Sequence, residues 1–167
     1  GSDGVLFLPY LTGGTNDVKE ATGCFLNMTL DTDQATLWHA VLEAIGYDYM
    51  EITDLYRGAG VDMSRITITE GGSRSEIWNQ MKSDMLGSEV ITLKNAGGAV
   101  VTDCIVGAYA LGHITNMKAA LTESLEIKKL YYTNAENHDF YAKQYALQKK
   151  LVKQDMKEAF HTLKALH

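Results

Sequence analysis

A run of β-branched residues, Ile66-Thr67-Ile68-Thr69, passes through Glu70-Gly71-Gly72 into Ser73-Arg74-Ser75-Glu76, where an amphipathic stretch begins. Such a turn brings bare backbone and the unpaired N–H groups of a helix start to one surface, where a nucleotide can approach closely. Purely structural strand-to-helix turns use the same residues, so both readings stand on this segment alone.

The remaining chain narrows the choice. At 167 residues and 46% hydrophobic content it can bury one sizeable core, which suits one domain. A formal net charge of -6 gives no electrostatic footprint for nucleic acid. Cys24 and Cys104 lie far apart, without the spacing of a zinc or redox motif, and the five histidines show no metal spacing either. No metal site is expected. No apolar run is long enough to span a bilayer, and the opening residues lack the basic and apolar regions of a signal peptide. A cytoplasmic protein with reduced thiols and no membrane contact is expected.

Strands and helices alternate along the chain. Val5 to Tyr10 and Gly23 to Thr29 read as strands. Asp31 with Gln34 resembles a capping box, and Leu37, Val41, Ile45, Tyr49, Ile52 and Tyr56 predict one apolar stripe on a long helix. Arg65 to Thr69 predicts a strand, Ser75 to Leu86 a helix with Ile77, Trp78, Met81 and Met85 inward, and Glu89 to Leu93 a further strand. That order implies a parallel crossover. Ala99 to Leu111 is apolar nearly all round and is expected between layers. A long amphipathic helix is expected over residues 136–166, its stripe running through Phe140, Gln144, Leu147, Leu151, Met156, Phe160 and Leu163. Trp38 and Trp78 are expected in the core.

Five blocks in order resemble the FGGY carbohydrate kinases, most of all their xylulokinase branch. They are Gly4 to Gly13 (GVLFLPYLTG), Gly23 to Leu30 (GCFLNMTL), Ala40 to Ile45 (AVLEAI), Gly71 to Ser75 (GGSRS), and the small-residue helix after Gly97-Gly98. The resemblance covers nearly the whole chain and implies an α/β lobe of the actin-like ATPase, ribonuclease H-like kind. It implies a mixed sheet with parallel crossovers, flanked by helices and incomplete at its N-terminal edge. Residues 1–167 would then be the C-terminal, nucleotide-binding lobe of an ATP-dependent sugar kinase acting on xylulose or another pentulose. The family's catalytic aspartate and its phosphate-holding hairpin precede the matched region, so no catalytic residue is assigned here. The chain alone is expected to be inactive, with Mg2+ held mostly by the missing lobe and hairpin.

Carried onto this sequence, the family turn gives Gly71, Gly72, Ser73, Arg74 and Glu76 as candidate ATP-binding residues, with Gly97 and Gly98 on a second loop. Parallel sheets bind ligands beyond their strand C-termini, where both loops belong. Ser73 and Glu76 also read as a capping box, and a carboxylate there would repel phosphate, so adenine or ribose is the expected contact. Arg74 has two open readings, along the nucleotide or in a surface ion pair. Glu43 reads as a helix-face ion-pair member. The chain departs from the family at Asp103, expected to cap a helix or meet solvent, and at Thr12 to Asn16, where the family carries a charged, proline-bearing loop. Open edge groups on Val5 to Tyr10 or Arg65 to Thr69 would favour a homodimer. The rival reading is a non-catalytic α/β binding or assembly module whose glycine turns serve packing alone.

Overall fold

Among the described residues the chain forms two small sheets and six α-helices. The computed structural model describes residues 1–14, 18–69, 71–94 and 98–165. Strands β1 (Leu6–Leu8) and β2 (Cys24–Leu26) pair antiparallel, with Phe7 opposite Phe25. Helix α1 (Gln34–Gly58) follows, capped by Asp33, whose side chain accepts from the Thr36 N–H at 2.8 Å. The expected Asp31–Gln34 box is replaced by this cap two residues on, because Asp33 already supplies the oxygen that the first turn requires.

Strand β3 (Arg65–Ile68) leads through a 3-10 turn, Gly71–Ser73, to helix α2 (Glu76–Leu86) and strand β4 (Glu89–Leu93). Strands β3 and β4 are parallel, with Ile68 opposite Thr92, as the order of elements predicts. Helices α3 (Gly98–Ala110) and α4 (Met117–Ser124) precede strand β5 (Ile127–Tyr131), which pairs antiparallel with β4. The sheet order is β3-β4-β5, so β3 is an edge among the described residues. Neither α4 nor β5 is evident in the sequence. Lys128 and Lys129 break the alternation that marks a half-buried strand, and such charges suit an edge.

The C-terminal run contains α5 (Ala135–Lys150), a π turn over Leu151–Asp155, and α6 (Lys157–Lys164). Tyr141, Gln148, Val152 and Phe160 are its buried residues, whereas Phe140, Leu147 and Leu163 are exposed. A similar rotation applies to α1. Its buried residues are Ala40, Glu43, Ala44, Gly46, Tyr47, Met50 and Thr53, while Tyr49, Ile52 and Tyr56 of the expected stripe face solvent, as does Trp38. Close packing explains the choice of face. A Cβ at Gly46 would come within 2.2 Å of the Met85 sulfur, so the face of α1 that carries Gly46, with Tyr47 and Met50 beside it, is the one that meets α2.

Helix α3 overturns its expectation outright. None of its residues is buried; Val100 is 67% exposed and Asp103 lies at the surface. Its apolar composition predicts burial between layers, but among the described elements α4 is its main neighbour and the helix stays largely uncovered. Ile77, 80% exposed, is likewise outside the α2 core. That core joins Tyr47 and Met50 of α1 to Trp78, Met81, Met85 and Leu86 of α2 and to Tyr141 of α5. Met85 is fully enclosed there. Met85→Ala is therefore expected to destabilise the chain by about 2–5 kcal/mol, read by denaturant unfolding; a loss below about 1 kcal/mol would mean that the α1–α2 contact is loose.

Candidate functional site

The turn after β3 is built from below. Residues Gly71–Ser73 form one 3-10 turn, closed by the Arg74 N–H donating to the Gly71 carbonyl at 3.3 Å. Helix α2 is capped by Ser75, whose hydroxyl accepts from the Trp78 N–H at 3.3 Å. The α2 cap thus falls on Ser75, two residues beyond the expected Ser73, which belongs to the 3-10 turn. Ser73 is buried, while Gly71, Gly72 and Arg74 are exposed.

Two α2 side chains hold the turn's carbonyls. Asn79, fully buried, donates from Nδ2 to the Ser73 carbonyl at 2.7 Å. Lys82, 3% exposed, donates from Nζ to the Gly72 carbonyl at 2.8 Å and to Asn79 Oδ1 at 3.4 Å. Its ammonium also lies 4.8 Å from the centre of the Trp78 ring. No ion pair among the described residues involves Lys82, and burial of the amine pulls its pKa down to about 8. Neither residue is marked in the sequence, where Asn79 and Lys82 read as a polar outer face. Their spacing of one helical turn, on the helix that opens at Ser75, is the signal that could have identified them.

The glycines themselves are unexplained from within the chain. Neither Gly71 nor Gly72 has positive φ. Among the described residues a Cβ on Gly71 would meet nothing within 4 Å, and one on Gly72 only Lys82 Nζ at 3.6 Å. The described residues thus leave room for ordinary side chains at both positions, and the two glycines present bare backbone there.

Residues 95–97, Gly97 among them, are outside the described residues. A Cβ on Gly98 would sit 3.4 Å from Thr69 Cγ2, which sets the start of α3 beside the end of β3. Glu76 is not part of this cluster's hydrogen bonding. It accepts from Lys129 Nζ of β5 at 2.7 Å, and that bond holds its carboxyl below the ordinary range. Glu43, read as a helix-face residue, is 4% exposed; its Oε2 lies 2.6 Å from Ser2 Oγ and its Oε1 3.4 Å from His39 Nε2.

A model of the FGGY family of carbohydrate kinases, C-terminal domain, matches residues 2–111. The chain is 30% identical to a xylulose kinase of Staphylococcus epidermidis over 156 residues, 92% of this chain and 32% of that protein. The crystal structure of gluconate kinase from Lactobacillus acidophilus has TM-score 0.76 at 20% identity, covering 98% of this chain and 33% of that one. Plasmodium falciparum glycerol kinase with ADP has TM-score 0.75 at 15% identity, covering 91% and 31%. The chain spans about a third of the length of these proteins. The shared fold is the mixed α/β lobe of the actin-like ATPase, ribonuclease H-like kind.

The buried amine of Lys82 makes stability pH-dependent with a definite sign. The folded chain releases this proton near 8, whereas the unfolded chain keeps it to the ordinary value of 10.5. Between those values the unfolded chain binds more protons, so stability rises with pH. Tyr141 and Tyr145, pushed up to about 12 by burial, act oppositely above their ordinary value of 10.0. Subtracting the Lys82→Met variant isolates the amine. The wild-type-minus-variant stability is expected to rise by about 1–3 kcal/mol from about pH 7 to about pH 10, and a flat difference would contradict the burial of the amine.

Proposed function

The chain belongs to the FGGY family of carbohydrate kinases, and we propose on that premise that it forms the nucleotide-facing wall of an ATP-dependent sugar kinase. The observation that carries the reading is the pair Gly71-Gly72. Among the described residues neither backbone conformation nor packing requires glycine at either position, which leaves the bare backbone open to a body from outside the chain. An adenosine moiety laid against bare backbone is such a body. The structural neighbour with ADP supports the choice of nucleotide. Gly98, and with it Gly97, would border the same surface. Arg74, exposed at the turn, is the cation nearest to it in sequence.

The proposed reaction moves the γ-phosphoryl group of ATP to a sugar hydroxyl. Such transfer relies on positioning and on stabilising charge over the phosphoryl oxygens. In this division of labour residues 71–74 and 97–98 orient the nucleoside. Mg2+, the phosphate-holding hairpin and the base that takes the hydroxyl proton belong to the portion of the kinase beyond this chain. The 167 residues alone should bind ATP without turning it over. The apolar surface of α3 and the open edge of β3 would meet that remaining portion, which explains why a helix so rich in Val and Ala is exposed. Similarity to a xylulose kinase favours xylulose as the sugar, and the cytoplasm, where ATP and reduced thiols coexist, is the proposed site of action.

Mass action supplies the test. Above the dissociation constant, each tenfold step in ATP should add about 1.4 kcal/mol of stability and raise the melting temperature by roughly 3–6 °C. A melting temperature that ignores ATP to millimolar concentration would contradict the proposal and favour an assembly module.

A further inference from the structure

We infer that Asn79 and Lys82 are positioning residues for the nucleotide: together they draw the Gly72 and Ser73 carbonyls onto α2 and thereby fix the bare glycine backbone that the ligand meets. This rests on the reading of Gly71-Gly72 as a nucleotide surface. The geometry is a closed relay. Lys82 Nζ donates both to the Gly72 carbonyl and to Asn79 Oδ1, and Asn79 Nδ2 donates to the Ser73 carbonyl. Two consecutive carbonyls of a three-residue turn are thus tied to adjacent turns of one helix. Because a peptide unit is planar, fixing a carbonyl fixes the whole plane, including the N–H on its far edge.

Three features set this arrangement apart from ordinary packing. The donors are a buried amide and a buried ammonium, groups that are costly to enclose, and both are spent on backbone of an otherwise exposed turn. No carboxylate among the described residues neutralises Lys82; its charge is spread over a carbonyl, an amide oxygen and the Trp78 ring face. Among the described residues nothing lies over the turn's glycines on the solvent side. Rigidity therefore comes from below. A glycine pair free to rotate would bind a nucleotide poorly, since ordering it would be charged to binding. Supporting residues of this kind typically govern affinity by about 10–100-fold without touching the ligand.

The test uses the chain labelled with nitrogen-15 and ATP titrated from micromolar to millimolar, with affinity read from amide shifts of residues 71–74. Asn79→Asp keeps the shape and removes the donor to Ser73; Lys82→Met keeps the chain length and removes the donor to Gly72. Each, while retaining a dispersed amide spectrum, is expected to weaken ATP about 10–100-fold and to speed amide exchange within residues 71–74. Lys82→Arg, which still donates, is expected to bind within about threefold of the unaltered chain. Folded variants that bind ATP as the unaltered chain does would overturn the inference alone. An unaltered chain that does not bind ATP would defeat the kinase reading, and the inference with it. If neither variant folds, the unaltered chain decides: ATP should slow exchange at Gly72 to Arg74, and unchanged exchange would overturn the positioning role.

Discussion

The close approach of α1 to α2 at Gly46 is the constraint on which the rest of the structure depends. With no side chain at that position, the Met85 sulfur occupies the space a Cβ would take, and Trp78 closes over the same crossing. Helix α2 is thereby sunk so deeply that even its polar residues are inside. Asn79, Lys82, Ser83 and Asp84 are all buried on this one helix. Each must find partners within the chain, because an unsatisfied polar group there is costly.

Those obligations organise the neighbouring elements. Asp84 accepts from the Asn134 N–H and from the side chains of Gln80 and Asn137, each at 2.8 Å, which fixes the start of α5. Ser83 donates to the Ser88 carbonyl at 2.8 Å and lies 3.1 Å from that of Tyr131, joining the ends of β4 and β5. Asn79 and Lys82 do the same for the turn after β3. A single buried helix thus aligns two strand ends, a helix start and the glycine turn. The proposed nucleotide surface is a consequence of how α2 is held.

Much of this was legible in the sequence, and the failures share one cause. The parallel β3-α2-β4 unit, the glycine turn and the family resemblance were all readable, since β-branched runs, paired glycines and motif order are local signals. Which face of a helix turns inward was not. On α1 Tyr47 and Met50 pack against α2 while Ile52 and Tyr56 lie outside, because the close crossing at Gly46 fixes which face turns inward. On α2 the apolar Ile77 is outside and the charged Lys82 inside. Periodicity identifies a helix, but it assumes that the greasy face is the packed face, and a helix carrying partners for a turn and a neighbouring helix start violates that assumption. The exposed apolar α3 is the converse case, its residues chosen for a surface that the described chain does not cover.

The central claim is that Gly71 and Gly72 are glycines because of a ligand and not because of the fold. Measuring stability and ATP affinity together on Gly72→Ala tests it most directly. The backbone there is compatible with alanine, and among the described residues the added Cβ meets only Lys82 Nζ at 3.6 Å. The account predicts stability that is unchanged or raised by up to about 1 kcal/mol, with ATP affinity reduced at least roughly tenfold. A folded Gly72→Ala chain that binds ATP as tightly as the parent, or one that loses stability by several kcal/mol, would contradict it.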